Sequence, residues 1–245
     1  MNVIHAYDRF CLTPTLDRIL KNLSTSSNII YFDNGNVLEV IGEVYTSMRL
    51  FVCSTPDFQV LSINEQLSLF QRNLLGISTF ALKILFRDTK FLENSICCNS
   101  FIQLFGQETI KQIKRLMKQL DLDSILLKLM LLIIAFSSNC LIIDVHKNLR
   151  DDSLSFGTFR LYGSQNVYVE LLWKYMIYRY GYNETVIRFS NLVMCVLLNI
   201  KQTASIYMSN IFLRDYVNQL GEKTKKMLVI NQNQPIPLWG KTFTS

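Results

Sequence analysis

The stretch PDFQVLSINEQLSLFQ, residues 56–71, decides the fold. Ser62 and Glu65 have the spacing of a capping box, in which a serine hydroxyl and a glutamate carboxylate each accept a backbone N–H at a helix start. Apolar residues then recur in steps of three and four along one helical face, at Leu67, Phe70, Leu74 and Ile77. The stretch therefore predicts that a long core helix begins here and continues to about residue 86.

The composition favours helices throughout one all-α domain. Of 245 residues, 49% are hydrophobic, and only 9 are glycine and 4 are proline. We predict helices over 37–53, from about 100 to 120, from Asp123 or Ser124 to Phe136, from 165 to a break at Gly181 and Asn183, and from Glu184 onward, with a further helix starting near Thr13 and Pro14. A short strand pair is predicted between Arg87 and Phe101.

One apolar run has the length of a membrane span. The run is ILLKLMLLIIAFSSNCLII, residues 125–143. Lys128 lies near one end, and the sequence SSN at 137–139 has the composition of a helix stop and a turn. We therefore predict a buried central helix and no membrane contact.

Residues that carry chemistry are sparse. The sequence has no glycine-rich phosphate loop, no G-x-S-x-G and no H-E-x-x-H. Its six cysteines form no C-x-x-C pair, which argues against a zinc site and a secreted disulfide framework. His146 beside Asp144 could act as a general base, and Asp151–Asp152 could bind a metal. Both pairs lie in a polar connection that is typical of a solvated loop. We expect no metal, no cofactor and no enzymatic activity.

The net charge of +6 leaves two interpretations open. Such an excess suits an acidic peptide or nucleic acid, and it is also ordinary solubility charge. The aromatic residues of 173–182, with Arg179 among them, would stack on bases in the first case. In the second case they belong to the core and to an interface, which is the more frequent role of aromatics at helical spacing.

Four segments, in order, resemble the ligand-binding domain of nuclear receptors. The first is similar to the family signature F-x-x-L-x-x-x-D-Q-x-x-L-L-K that follows a proline, with Glu in place of Asp; it is matched here by Pro56, Phe58, Leu61, Glu65, Gln66, Leu69 and Phe70. LDLDSILLKLMLLIIAF (120–136) is similar to the family's central helix, and QNVYVELLWKYMIYRYGYNETVIRFSNLV (165–193) to its helices near the dimer surface. PLWGKTF (237–243) falls where the family places its terminal activation helix. The tyrosine-rich YRYGY resembles invertebrate receptors, with nematode ones among them.

The resemblance implies a fold and a ligand site. The fold is a three-layer antiparallel helical sandwich with a short β-hairpin. A small apolar ligand, such as a lipid or a sterol, would shift the terminal helix between docked and loose states. The implied ligand-binding residues are Tyr45, Met48, Arg87, Tyr207, Met208 and Ile211. The alternative is a ligand-independent module of the same fold that acts by dimerisation or corepressor binding; a third class, a helical enzyme or membrane-associated protein, stays open.

The resemblance also implies a coregulator groove formed by Cys53, Leu67, Gln71, Trp239 and Lys241. The family holds a partner helix there between basic residues at one end and a glutamate at the other. Here the basic positions read Cys53 and Gln71, and the glutamate position reads Lys241. A corepressor is therefore the favoured coregulator.

Two further expectations come from the late helices. The family pairs the arginine at Arg188 with a glutamate whose position reads Leu126 here, so we expect Glu170 or Asp144 to replace it. The dimer surface, for a homodimer or for a heterodimer with another nuclear receptor, is expected at Phe189, Leu192, Val193 and Val196. The implied location is the nucleus, with DNA contact only through a module that these 245 residues do not contain.

Overall fold

The computed structural model describes residues 32–137 and 154–231. Expectations that fall on the rest of the chain lie outside the described residues: the helix start near Thr13, the residues Asp144, His146, Asp151 and Asp152, and the terminal helix with Trp239 and Lys241. The described helices are α1 (Asn34–Cys53), α2 (Pro56–Gln59), α3 (Ile63–Asp88), a 3₁₀ turn (Phe91–Glu93), α4 (Ser95–Phe105), α5 (Gln107–Gln119), α6 (Ser124–Ala135), α7 (Leu154–Tyr180), α8 (Tyr182–Ser209) and α9 (Ile211–Asn231).

The capping box predicted at residues 62–65 is confirmed. The Ser62 N–H donates to Glu65 Oε2 at 2.7 Å, and the Glu65 N–H donates to Ser62 Oγ at 3.4 Å. Both bonds satisfy backbone donors that the first helical turn leaves without partners. The cap fixes where α3 begins, and α3 then runs for 26 residues.

Helix α3 lies at the centre of the domain. It packs against α1, α5, α6, α7, α8 and α9, and its residues between Leu69 and Phe86 are almost all buried. Asn73 ties α3 to the end of α6, since its side-chain amide donates to the carbonyl oxygens of Ala135 at 2.9 Å and Ser137 at 2.6 Å. A helix enclosed on so many sides sets the position of the six helices that pack against it.

Helix α6 is the buried apolar helix that the sequence predicts. Asp123 caps it by accepting the Ile125 N–H at 2.9 Å, and every residue from Leu126 to Phe136 is buried. Among the described residues, α8 alone has the length and apolar content that a membrane crossing requires. That helix packs against α3, α5, α7 and α9 within the domain.

The strand pair predicted between Arg87 and Phe101 is wrong, because this segment holds the end of α3, a turn, the 3₁₀ turn and the start of α4, and no strand. Lys90 adopts a left-handed conformation (φ 55°) that ends α3 and leads into the 3₁₀ turn. Asn94 then accepts the N–H groups of Ile96 and Cys97 and so starts α4 at Ser95, earlier than the predicted start near Ser100. Gly106 (φ 84°) separates α4 from α5, which the sequence pattern joined into one helix. The break predicted at Gly181 (φ 75°) is present between α7 and α8.

Candidate functional site

Three of the six expected ligand-binding residues are buried in the interior. Tyr45 and Met48 on α1 and Tyr207 on α8 are buried. The Tyr207 hydroxyl donates to Asn218 Oδ1 on α9 at 2.9 Å. Burial raises the pKa of Tyr45 to about 12, against the lowering effect of a hydrogen bond with Thr224. The two phenols therefore stay neutral at physiological pH and form a polar corner between α1, α8 and α9.

Met208 and Ile211 lie elsewhere. Their side chains are 57% and 61% exposed, so they do not share this interior site. The reason is the helical phase: Met208 follows Tyr207 directly, and consecutive residues of a helix point about 100° apart. Ile211 is the first residue of α9 and faces solvent at the turn between α8 and α9.

Arg87 also lies apart from the interior residues. Its guanidinium donates to the carbonyl oxygen of Asp121, and its Nε donates to Asp88 Oδ1 at 2.7 Å. Beside it, aromatic rings fill the space near the end of α3. Phe86 stacks on Phe91 at 5.0 Å between centroids and meets Phe101 edge-on at 5.0 Å.

The described part of the expected coregulator groove carries no clamp charge. Cys53 at the end of α1 is half-buried, and Gln71 on α3 is exposed. Burial raises the pKa of the Cys53 thiol to about 11, although Arg49 lowers it in part. The thiol is therefore neutral at physiological pH. Leu67 between them is half-buried and packs against the core.

Arg188 pairs with acids other than those expected. It bonds Asp121 Oδ2 at 2.8 Å and Glu184 Oε1 at 2.8 Å, and it lies 4.2 Å from the centre of the Tyr180 ring. The prediction of Glu170 is wrong, because that carboxylate pairs with Lys174 at 2.6 Å; Asp144 lies outside the described residues. The i,i+4 spacing of Glu184 and Arg188 was the available signal in the sequence.

A second acidic residue, Asp123, links the helices near Arg188. Asp123 Oδ2 accepts the hydroxyls of Tyr175 at 2.9 Å and Tyr180 at 2.6 Å, both on α7. Burial alone would raise the pKa of Asp123, but these two bonds and the N–H groups at the start of α6 outweigh it and lower the pKa. The loop before α6 therefore joins α6, α7 and α8 through the carboxylates of Asp121 and Asp123.

The expected dimer residues lie on α8 with different exposure. Leu192 is buried against the core, whereas Phe189, Val193 and Val196 are half-buried and line a groove of about 280 Å³ that α6 and α7 also border. Next to them α8 presents apolar side chains to solvent, namely Val186, Ile187, Met194, Leu197 and Leu198. Helix α8 thus has apolar residues on its inner face and on its outer face.

A buried polar contact that the sequence did not reveal joins α3 to α8. Lys83 is buried, and its Nζ donates to Asn199 Oδ1 at 2.7 Å. The Asn199 amide donates in turn to the Gly76 carbonyl oxygen at 3.2 Å. Burial lowers the pKa of Lys83 to about 7. Across the two described ranges, no group of three or more His, Cys, Asp or Glu side chains is placed to hold a metal ion.

Comparison with known proteins adds no family: no protein-family model matches the chain, and no curated protein matches it.

Proposed function

We propose that the chain is a dimerisation domain of the nuclear receptor ligand-binding type, which regulates transcription in the nucleus through partner proteins. The all-helical architecture, the capped central helix α3 and the buried helix α6 support this proposal. The four sequence segments occur in the order that the family requires. We also propose that its helices form the three-layer arrangement of that family.

The exposed apolar face of α8 carries the proposal. Ile187, Met194 and Leu198 recur at steps of seven and four, so they form one stripe along the helix. Exposed apolar surface of this extent is typical of an interaction site. Two copies that bury the stripe symmetrically would each contribute the same residues, as in most protein dimers. A stable interface would bury roughly 800 Å² on each partner.

Sedimentation velocity tests the role of this stripe. We expect the wild type to self-associate, or to associate with a related receptor domain, and the double variant Met194→Glu/Leu198→Glu to associate at least about tenfold more weakly, because it would bury unpaired charges. Val60→Glu is the matched control, since Val60 is exposed but lies after α2. Equal association of the wild type and the double variant would refute the proposed surface.

The interior polar corner favours a second candidate function, the binding of a small apolar ligand such as a lipid or a sterol. Tyr45 and Tyr207 provide two hydroxyls at one end of a buried apolar region, the usual composition of a ligand site. Native mass spectrometry of the purified protein would show a co-purified molecule. Loss of that molecule in Met48→Trp, which enlarges a buried side chain one helical turn from Tyr45, would support ligand control. A protein that never carries a ligand and does not bind added sterols would support the ligand-independent dimerisation module.

We also propose that the groove at Cys53 and Gln71 binds a corepressor. Without basic residues at one end and an acid at the other, peptides with the L-x-x-L-L pattern lack partners for their helix ends. We expect weak or no binding of such peptides, and tighter binding after Cys53→Lys, Gln71→Lys and Lys241→Glu together. Tight binding by the wild type, unchanged by these three substitutions, would contradict the charge argument.

A further inference from the structure

The outer face of the domain holds a cleft of about 320 Å³ where the end of α3 meets α5 and the loop before α6. Four basic residues line it: Arg87 and Lys90 at the end of α3, and Lys114 and Lys118 on α5. Among the described residues that line the cleft, Glu93 is the one acid. Arg87 is paired with Asp88 at 2.6 Å, so the excess positive charge comes from the three lysines. Because three lysines face one lining carboxylate, the cleft is electropositive and attracts anions.

The floor of the same cleft is apolar. Phe86, Leu92 and Leu120 form it and are buried, and Met117 on α5 is half-buried beside them. At the rim, Leu122 is 85% exposed. An apolar floor under a cationic rim fits a molecule with an apolar chain and an anionic head. The volume lies near the lower end for small-molecule sites, roughly 300–1,000 Å³, which suits one chain better than a peptide helix.

The cations differ in how they are held. The Arg87 guanidinium donates to the backbone carbonyl oxygen of Asp121 and to the Asp88 carboxylate, and Lys114 Nζ donates to Cys98 Sγ at 3.2 Å. Lys90 and Lys118 are exposed. A lysine carries its charge on a flexible four-carbon stem. The two exposed lysines can therefore close over an anionic head, while Lys114 adds a positive charge that is held in the wall.

We infer that this cleft binds a single-chain amphiphilic anion of the fatty-acid type, with its carboxylate at the lysines and its chain on the apolar floor. Tyr45, Met48 and Tyr207 do not line the cleft, so the site is separate from the interior ligand site proposed above. The two proposed sites can therefore be occupied independently of each other.

Calorimetric titration with octanoate, decanoate and dodecanoate, each below its micellar concentration, tests the ligand class. We expect affinity to rise about fourfold for each added methylene until the cleft is filled. Acetate, which has the charge without the chain, and decan-1-ol, which has the chain without the charge, should each bind at least about tenfold more weakly than decanoate. Equal binding of decanoate and decan-1-ol, or no binding of decanoate, would overturn the inference.

Two double variants on α5 test where the anion binds. Lys114→Gln/Lys118→Gln removes two cations of the cleft, whereas Lys111→Gln/Arg115→Gln removes two exposed cations of the same helix that do not line it. We expect the first pair to weaken decanoate binding roughly tenfold and the second less than about twofold. Equal losses would show a general charge effect and overturn the site.

The exposed residue Leu122 and the buried residue Met48 separate the cleft from the interior. Leu122→Ser should weaken decanoate binding with little risk to folding, because the side chain is at the rim. If decanoate binding instead survives Lys114→Gln/Lys118→Gln and is lost in Met48→Trp, the anion occupies the interior site. That result would overturn the proposed site in the cleft and would support the second candidate function.

Discussion

Replacing Lys83 by methionine separates the charge of a buried lysine from its packing. Lys83 lies between α3 and α8, and its Nζ donates to the neutral amide of Asn199 rather than to a carboxylate. Burial lowers its pKa from 10.5 to about 7. One pH unit of pKa change corresponds to about 1.4 kcal/mol. Holding this lysine in the folded interior therefore destabilises the protein by about 4 kcal/mol at pH 7.

The direction of the pH dependence follows from the two pKa values. Between about pH 7 and pH 10.5 the unfolded chain holds the proton that the folded protein releases, so stability rises with pH across this window. Well below pH 7 the lysine is protonated in both states and the destabilisation is constant. The contribution of Lys83 should therefore make the wild type about 2 kcal/mol more stable at pH 9 than at pH 7.

Urea denaturation of the wild type and of Lys83→Met at pH 7 and pH 9 measures this contribution. We expect Lys83→Met to be more stable at pH 7 despite leaving the Asn199 oxygen without its donor, which costs about 1–3 kcal/mol. The advantage should shrink by about 2 kcal/mol at pH 9. Lys201→Met, at an exposed lysine of α8, is the matched control and should show no such change. Parallel pH dependence in wild type and Lys83→Met would refute the reasoning.

Three further predictions concern the contacts that hold α3 and α6 in place. Ser62→Ala should lower the free energy of unfolding by about 1 kcal/mol through loss of the cap. The control Ser190→Ala, at an exposed position, should change it little. Equal effects of the two substitutions in urea denaturation would contradict the capping role. Asn73→Ala should destabilise by about 2 kcal/mol, because a buried carbonyl oxygen at Ala135 and a partly buried one at Ser137 lose a donor. A neutral result would show that water replaces the amide. Tyr180→Phe should raise the pKa of Asp123, so acid unfolding should begin at higher pH, and a carboxyl NMR titration that shows no rise would contradict the assignment.

Short-range signals predicted much of the helical structure. The capping box at Ser62 and Glu65, the cap at Asp123 and the break at Gly181 depend on residues within one helical turn, and all three are present. The same kind of signal was missed at Asn94, whose cap starts α4 where a strand pair was expected. Local pattern is informative because capping and chain reversal are decided by neighbours in sequence.

Long-range partners could not be predicted from the sequence. Arg188 and Asp121 are 67 residues apart, and Lys83 and Asn199 are 116 apart, so no spacing rule connects them. The phase of α8 was also ambiguous, because apolar residues occupy several of its faces. Only the packing against α3 and α7 shows that Leu192 points inward while Met208 is exposed.

Intermolecular methyl contacts test the proposed dimerisation surface most directly. In a sample mixed from two differently isotope-labelled copies of the protein, isotope-filtered NMR detects nuclear Overhauser effects between subunits alone. We predict such effects among the methyl groups of Ile187, Met194 and Leu198, and none to Val60, which is more exposed to solvent than these residues but lies after α2. Effects between subunits that involve Val60 and omit the α8 stripe, or a protein that stays monomeric at millimolar concentration alone and with related receptor domains, would contradict the account.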